Sequence, residues 1–219
     1  MNKKPIGQIG PLRVNINPNN ATKSLQLVKF SGNKRENEDK ILSIFRSEAE
    51  RKGFKFYDIK PNPENHFDYT LSLPGGTVFL DLMEIVYHSP ESKNKNPYNS
   101  GEILINNKDY AEQIVKNILK KSAKYQNRGS TPIHLLTYVT QWSFQLGQGV
   151  IAICQNYLRN RPHIFENIFF LTILDDISGD IRVLFPSPDR EGLKITELEN
   201  GSYRCLDLSK SYLIHKDAL

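Results

Sequence analysis

The chain has 219 residues, 38% of them hydrophobic, which is enough for one domain with a substantial core. No apolar run approaches the roughly 20 residues of a membrane-spanning helix, and the N-terminus lacks the apolar segment of a secretory signal, so we expect neither class. Cys154 and Cys205 have no partner at zinc-ligand spacing. This pattern is typical of reduced thiols in a cytoplasmic protein, with Cys154 in the core of a helix.

The net charge of +5 is unevenly distributed along the chain. Residues 1–35 contain seven basic residues and no acid. The rest of the chain therefore has 22 of the 29 basic residues and all 24 acids, which gives it a net charge near −2. We therefore divide the chain into a basic N-terminal arm, 1–33, and a single α/β domain, 34–219. The arm is either a segment that contacts phosphates or a solvated, partly ordered extension.

The domain is predicted to begin with a helix and a β-hairpin. Lys34–Lys52 carries apolar residues at helical spacing, and Gly53 ends the helix. Residues 67–87 then form two strand-like runs around the turn Leu73-Pro-Gly-Gly76. The second run, Val78–Val86, is apolar apart from two acids, which is typical of a strand that is covered on both faces.

The rest of the domain alternates between helices and strands. Polar residues 90–107 predict a long loop. The elements predicted after it are a helix at 109–125, a strand at 133–139, a helix at 145–160, and a hairpin formed by 165–175 and 180–185. This order indicates an α/β fold with a mixed central β-sheet flanked by helices.

Three carboxylates on the first hairpin are the main candidates for chemistry. Asp81 and Glu84 are three residues apart on one strand, so the pleat sends them to opposite faces and at most one can join Asp68. An ion on a covered strand costs several kcal/mol unless it is paired or coordinated. Paired carboxylates are the hard oxygen ligands that hold Mg²⁺ or Mn²⁺ beside a phosphate.

The hairpin register decides which acid joins Asp68. A three-residue loop would put Asp68 on the same face as Glu84, whereas a two-residue loop, pairing Leu73 with Gly76, would put Asp68 opposite Asp81. A slip of one residue exchanges the faces. Both alternatives remain open at the level of sequence, and each provides a carboxylate pair.

The second predicted helix offers a basic group to this pair. At 100° per residue, Lys116 and Lys120 point away from the apolar face centred on Ile118. Lys121 lies about 60° from the centre of that face, so it can bury its stem and present the ammonium at the edge of the sheet. The alternatives are a surface lysine and a lysine that positions the attacking water or neutralises a transition-state phosphate.

This arrangement resembles the PD-(D/E)XK, or restriction-endonuclease-like, nuclease superfamily over residues 35–175. His66-Phe-Asp68 stands at the position of the Pro-Asp motif. Leu80-Asp-Leu-Met83 or Met83-Glu-Ile-Val86 stands at the position of the second motif. Phe67 replaces the proline, and Met83 or Val86 replaces the motif lysine. Some members carry that lysine on the following helix, where this chain has Lys121.

The resemblance implies a metal-dependent nuclease that hydrolyses phosphodiester bonds of DNA or RNA with Mg²⁺ or Mn²⁺. Asp68 with Asp81 or Glu84 would hold the metal, and Lys121 would assist. Members often add an acid from the first helix, for which Glu38 and Glu48 are candidates. The alternative is a catalytically inactive module that kept the fold and binds nucleic acid or a protein partner.

Overall fold

A computed structural model describes residues 9–10, 12–17, 20–63, 66–87, 102–125, 130–141, 144–187 and 194–206. Its helices are α1 (Lys34–Arg51), α2 (Asn107–Ala123), α3 (Gln148–Arg159) and α4 (Ile195–Glu199). Its strands are β1 (Leu12–Asn17), β2 (Asn20–Leu25), β3 (Asp58–Pro61), β4 (Tyr69–Leu73), β5 (Gly76–Glu84), β6 (Glu102–Asn106), β7 (Ile133–Tyr138), β8 (Phe165–Ile173), β9 (Gly179–Phe185) and β10 (Ser202–Leu206).

The centre of the fold is a six-stranded mixed sheet in the order β3-β4-β5-β7-β8-β9. Strands β5, β7 and β8 run parallel, and the strands outside them pair antiparallel. Each predicted helix and strand of the domain is found within a few residues of its expected bounds. The predicted α/β class with a mixed central sheet flanked by helices is confirmed.

The two crossover connections explain which helices share a face. Helix α2 lies in the connection from β5 to β7, and α3 lies in the connection from β7 to β8. Both connections advance in the same direction across the sheet, and parallel crossovers are almost always right-handed, so the two helices fall on one face and pack together. Helix α1 precedes the hairpin and covers the other face, where Phe45 packs against Phe169 of β8 at 5.5 Å between ring centroids.

The predicted loop at 90–107 is wrong in its last part. Residues 102–106 form β6, which pairs antiparallel with β10, about a hundred residues further along the chain. Ile103 and Ile105 are buried while Leu104 between them is exposed, which is the alternation of a strand with one covered face. Residues 88–101 lie outside the described part of the chain.

Cys154 and Cys205 are both buried and form no disulfide. Cys154 lies on α3 with no exposed surface, which confirms its predicted position in the core of a helix. Burial raises the pKa of both thiols, because a thiolate loses hydration there. Among the described residues, no helix combines the length and the apolar character needed to cross a bilayer.

The basic arm contributes to both secondary structure and core. Strands β1 and β2 form an antiparallel hairpin in which Leu12 pairs with Leu25. Outside this hairpin, the Val28 amide donates to the Ile9 carbonyl at 2.7 Å, and both side chains belong to the hydrophobic core. Residues 1–8 and 11 lie outside the described part of the chain.

Two adjacent residues of the arm provide a matched test of this core contribution. Val28 is 2% exposed and Leu27 is 38% exposed. Val28→Ala is expected to lower the free energy of unfolding by about 2 kcal/mol, because it removes buried methyl groups and leaves a cavity. Leu27→Ala should change it by less than about 0.5 kcal/mol. Urea denaturation measures both, and equal effects would show that the arm does not dock on the domain.

Candidate functional site

The hairpin register brings Asp68 opposite Asp81. Leu73 pairs with Gly76 across a two-residue turn, and the ladder continues to Tyr69, which pairs with Leu80. Gly76 has a φ of +129°, a conformation that glycine adopts without strain. Carried one residue further, this register sets Asp68 directly across from Asp81. Of the two registers that the sequence left open, the structure has the one that joins these two acids.

Asp81 and Glu84 lie on opposite faces of β5, as the pleat predicted. Asp81 is 2% exposed and faces α2. Glu84 faces α1, where Thr140 Oγ1 donates a hydrogen bond to its Oε1 at 2.6 Å. Glu84 therefore does not join the carboxylate pair, and the candidate metal ligands that the structure brings together are Asp68 and Asp81.

Helix α2 delivers Lys121 to this pair. Its Nζ lies 2.9 Å from Asp81 Oδ2, and it donates to the Leu82 carbonyl oxygen at 2.8 Å. The Lys121 side chain is 21% exposed, so its stem is covered while the ammonium stays near the surface. Lys116 and Lys120 are exposed on the other side of the helix, as the helical periodicity predicted.

Tyr125 is a member of the cluster that sequence reasoning missed. Its hydroxyl donates to Asp81 Oδ2 at 2.5 Å, on the same oxygen that Lys121 contacts. The Tyr125 ring packs against Phe67 at 4.5 Å between centroids, and Phe67 stacks on Phe79 of β5. Tyr125 follows Lys121 by four residues, so the shared helix face was a signal for it, but the hydroxyl's partner was not readable from periodicity.

The two carboxyl groups are electrostatically coupled. Burial and, next in size, a hydrogen bond with Asp68 raise the pKa of Asp81 from an ordinary 3.8 to about 6, while Lys121 and Tyr125 oppose this shift. Asp68 Oδ2 also accepts a hydrogen bond from the Leu82 amide at 2.7 Å, which holds it against β5. Without a cation, the pair therefore retains a proton at mildly acidic pH.

The donor set fits a hard divalent cation. Mg²⁺ is usually held by one or two carboxylates and keeps several waters and substrate phosphate oxygens as its other ligands. Asp68 and Asp81 supply such a pair, and a cation bound between the buried Asp81 and the half-buried Asp68 would relieve their repulsion. Among the described residues, no group of three His, Cys, Asp or Glu side chains is arranged to hold a metal, so the fit rests on two acids.

The acids of α1 have other partners. Glu38 is buried and pairs with Lys34 at 3.1 Å. Glu48 is buried and accepts from Arg51 at 2.6 Å and from the Gly179 amide at 3.4 Å, so it links α1 to β9. Lys34 lies close enough to Asp68 and Asp81 to interact electrostatically with both. Glu48 therefore has a structural role. Lys34 adds positive charge near the carboxylate pair.

The chemistry that this cluster can support follows from its side chains. Two coupled carboxylates face an ammonium and a phenol hydroxyl at the boundary between the interior and the surface. Such a cluster can hold a hard cation and stabilise negative charge that develops on a substrate next to it. Comparison of the chain with protein-family models, curated proteins and solved structures finds no match to any of them.

Proposed function

We propose that this protein is a metal-dependent nuclease that hydrolyses phosphodiester bonds of DNA or RNA, with a divergent restriction-endonuclease-like fold. The observation that carries the proposal is the contact of Lys121 from α2 with Asp81 of the hairpin, beside Asp68. Lys121 can take the role of the motif lysine, because the corresponding position in the hairpin sequence is Met83.

Each residue of the cluster has a role in this proposal. Asp68 and Asp81 hold Mg²⁺ or Mn²⁺, which when bound lowers the pKa of a water and offsets the charge of the phosphate. Lys121 orients the attacking water or stabilises the negative charge that grows on the phosphate in the transition state. Tyr125 holds the Asp81 carboxylate in one orientation through its 2.5 Å hydrogen bond.

The alternative, an inactive module that binds nucleic acid or a protein, has less support. Carboxylates that ended in arginine pairs or in solvent would favour it. Instead, Asp81 is buried and contacts a lysine and a tyrosine, and its burial beside Asp68 raises its pKa toward neutrality even though these two contacts oppose the shift. Strongly perturbed acids with a specific partner are more common at functional sites than elsewhere.

The proposal includes a cytoplasmic location, because the two buried cysteines are free thiols, as is usual for proteins in a reducing compartment.

The test is hydrolysis by the purified protein and by Asp81→Asn prepared in parallel. Supercoiled plasmid, linear duplex, single-stranded DNA and RNA are incubated with Mg²⁺ or Mn²⁺ and, separately, with EDTA. We expect metal-dependent cleavage of at least one substrate by the parent protein, and none by Asp81→Asn, because the variant lacks one of two ligands. Cleavage of equal rate by both proteins would identify a contaminant, and no cleavage by the parent would contradict the proposal.

A further inference from the structure

The segment from the end of α1 to β3 combines basic and aromatic residues. Its sequence is Arg51-Lys-Gly-Phe-Lys-Phe-Tyr-Asp-Ile-Lys60, with four bases and one acid, so its net charge is +3. The chain after residue 35 is near −2 overall, which makes this segment a local concentration of positive charge. Bases interleaved with aromatic rings are typical of surfaces that bind nucleic acid.

The structure separates the side chains of this segment into a structural group and an exposed group. Phe56 packs against the hydrophobic core, and Arg51 and Lys52 form ion pairs with acids of α1 and β9. In contrast, Phe54 is 55% exposed and Tyr57 is 70% exposed. The two exposed rings present flat apolar surfaces on which a base can stack.

Strand β3 connects Tyr57 with the carboxylate pair. It is an edge of the central sheet, and among the described residues no strand pairs with its outer side. Just before β3, the Tyr57 amide donates to the Ser72 carbonyl at 2.9 Å. Just after β3, the Asn62 amide donates to the Asp68 carbonyl at 3.0 Å. This edge, residues 57–62, therefore leads to Asp68 over about 16 Å.

Lys60 lies on the same face of the sheet as the carboxylate pair. It pairs with Thr70 of β4, which pairs with Phe79 of β5. Asp68 precedes Thr70 by two residues. Asp81 follows Phe79 by two residues, so the pleat places both acids on the face of Lys60. Lys60 is one strand and two residues away from Asp68, which corresponds to about 8 Å between the two Cα atoms.

The ammonium of Lys60 is accessible to a phosphate. Its side chain is 74% exposed and contacts Asp58, which is 48% exposed, at 3.0 Å. An ion pair exposed to this degree contributes little to stability, so Lys60 loses little by exchanging Asp58 for a phosphate. Lys55 is also exposed and adds positive charge to the same segment.

We propose that the β3 edge binds single-stranded nucleic acid. Tyr57 stacks on a base, and Lys60 contacts the phosphate next to the one at the carboxylate pair. The bases of a duplex are stacked on each other, whereas those of a single strand can stack on an aromatic ring. The inference names single strands as the substrate class of the proposed nuclease, and it rests on that proposal for the position of the reacting phosphate.

Equilibrium binding of the full chain in EDTA tests the inference without hydrolysis. Fluorescence anisotropy measures Kd for a labelled single-stranded oligothymidylate of about 20 nucleotides, longer than the site of one binding module, and for a duplex of the same length. Tyr57→Ala should weaken binding of the single strand roughly tenfold, the effect typical of one stacked base, and leave duplex binding unchanged. Tyr57→Phe keeps the ring and should retain the affinity. Ile177→Ala, which truncates a 77% exposed side chain in the β8–β9 turn, is the control and should bind like the parent.

The salt dependence of Kd tests the phosphate contact. Lys60→Gln should reduce the slope of log Kd against log salt by roughly 0.7, the contribution of one phosphate of a single strand. Lys194→Gln is the matched control, because Lys194 is 72% exposed and forms a similar surface ion pair with Glu197 at 2.8 Å. Its slope should equal that of the parent. This comparison stands on its own if Tyr57→Ala does not fold.

The outcomes separate this inference from the nuclease proposal. No binding of the single strand, an affinity unchanged in Tyr57→Ala, or a salt slope unchanged in Lys60→Gln would overturn the inference, even if the protein cleaves nucleic acid. Binding that depends on Tyr57 and Lys60, without any cleavage by the parent protein, would support the surface and reject the hydrolytic role of Asp68, Asp81 and Lys121.

Discussion

Lys121→Met is expected to lower kcat for phosphodiester hydrolysis roughly 100- to 1,000-fold, the loss typical of one preorganised charge at a reacting group. Methionine keeps an apolar stem against the sheet and removes only the ammonium that contacts Asp81 Oδ2 and the Leu82 carbonyl. Lys120→Met is the matched control, because Lys120 is the adjacent residue on the exposed side of α2. It should change kcat less than about twofold.

The same pair of variants should differ in the pH dependence of the rate. Lys121 lowers the pKa of Asp81, so its removal raises that pKa further, and the carboxylate loses its proton only at higher pH. The acid limb of the pH–rate profile should therefore move upward in Lys121→Met and stay in place in Lys120→Met. Equal losses and unshifted profiles in both variants would indicate a general basic surface instead of a specific catalytic lysine. Circular dichroism checks that both variants are folded.

Millimolar Mn²⁺ is expected to raise the melting temperature, because the cation binds the paired carboxylates only in the folded protein. At a concentration of 100 times Kd, such binding adds about 2.7 kcal/mol to the free energy of unfolding. For a chain of this size, that corresponds to a rise of about 5 to 10 °C. Asp68→Asn should abolish the rise, whereas Asp58→Asn, which alters an exposed acid on β3, should not.

The rise in melting temperature should grow with pH. The pKa of Asp81 is about 6 in the folded chain, against an ordinary 3.8. Between these values the folded protein binds more protons than the unfolded one, so without metal this group makes the protein less stable as pH increases. Binding of a cation requires the deprotonated pair, and the stabilisation should therefore be small at pH 5 and large at pH 7.5. A shift that is the same at both pH values would place the cation elsewhere.

The sequence predicted eight elements of the domain because their signals are local, and it missed β3, β6, α4 and β10. The apolar stripe of α1 and the apolar run of β5 each lie within one element. The same holds for each pattern that predicts a strand or helix within residues 133–185. The opposite faces of Asp81 and Glu84 follow from the pleat alone. The reach of Lys121 follows in the same way from the 100° rotation per residue of a helix. These features depend on spacing along the chain and not on what surrounds them.

Tertiary structure decided which of these residues meet. A one-residue change of register would have joined Glu84 to Asp68, and the choice depends on the turn at Gly76 together with the packing of both faces of β5. The role of Tyr125 depends on the crossover that lays α2 over the hairpin. The pairing of β6 with β10 and the docking of Val28 likewise join distant segments. Local periodicity determines the face on which a side chain lies, but only the packed fold determines what lies opposite it.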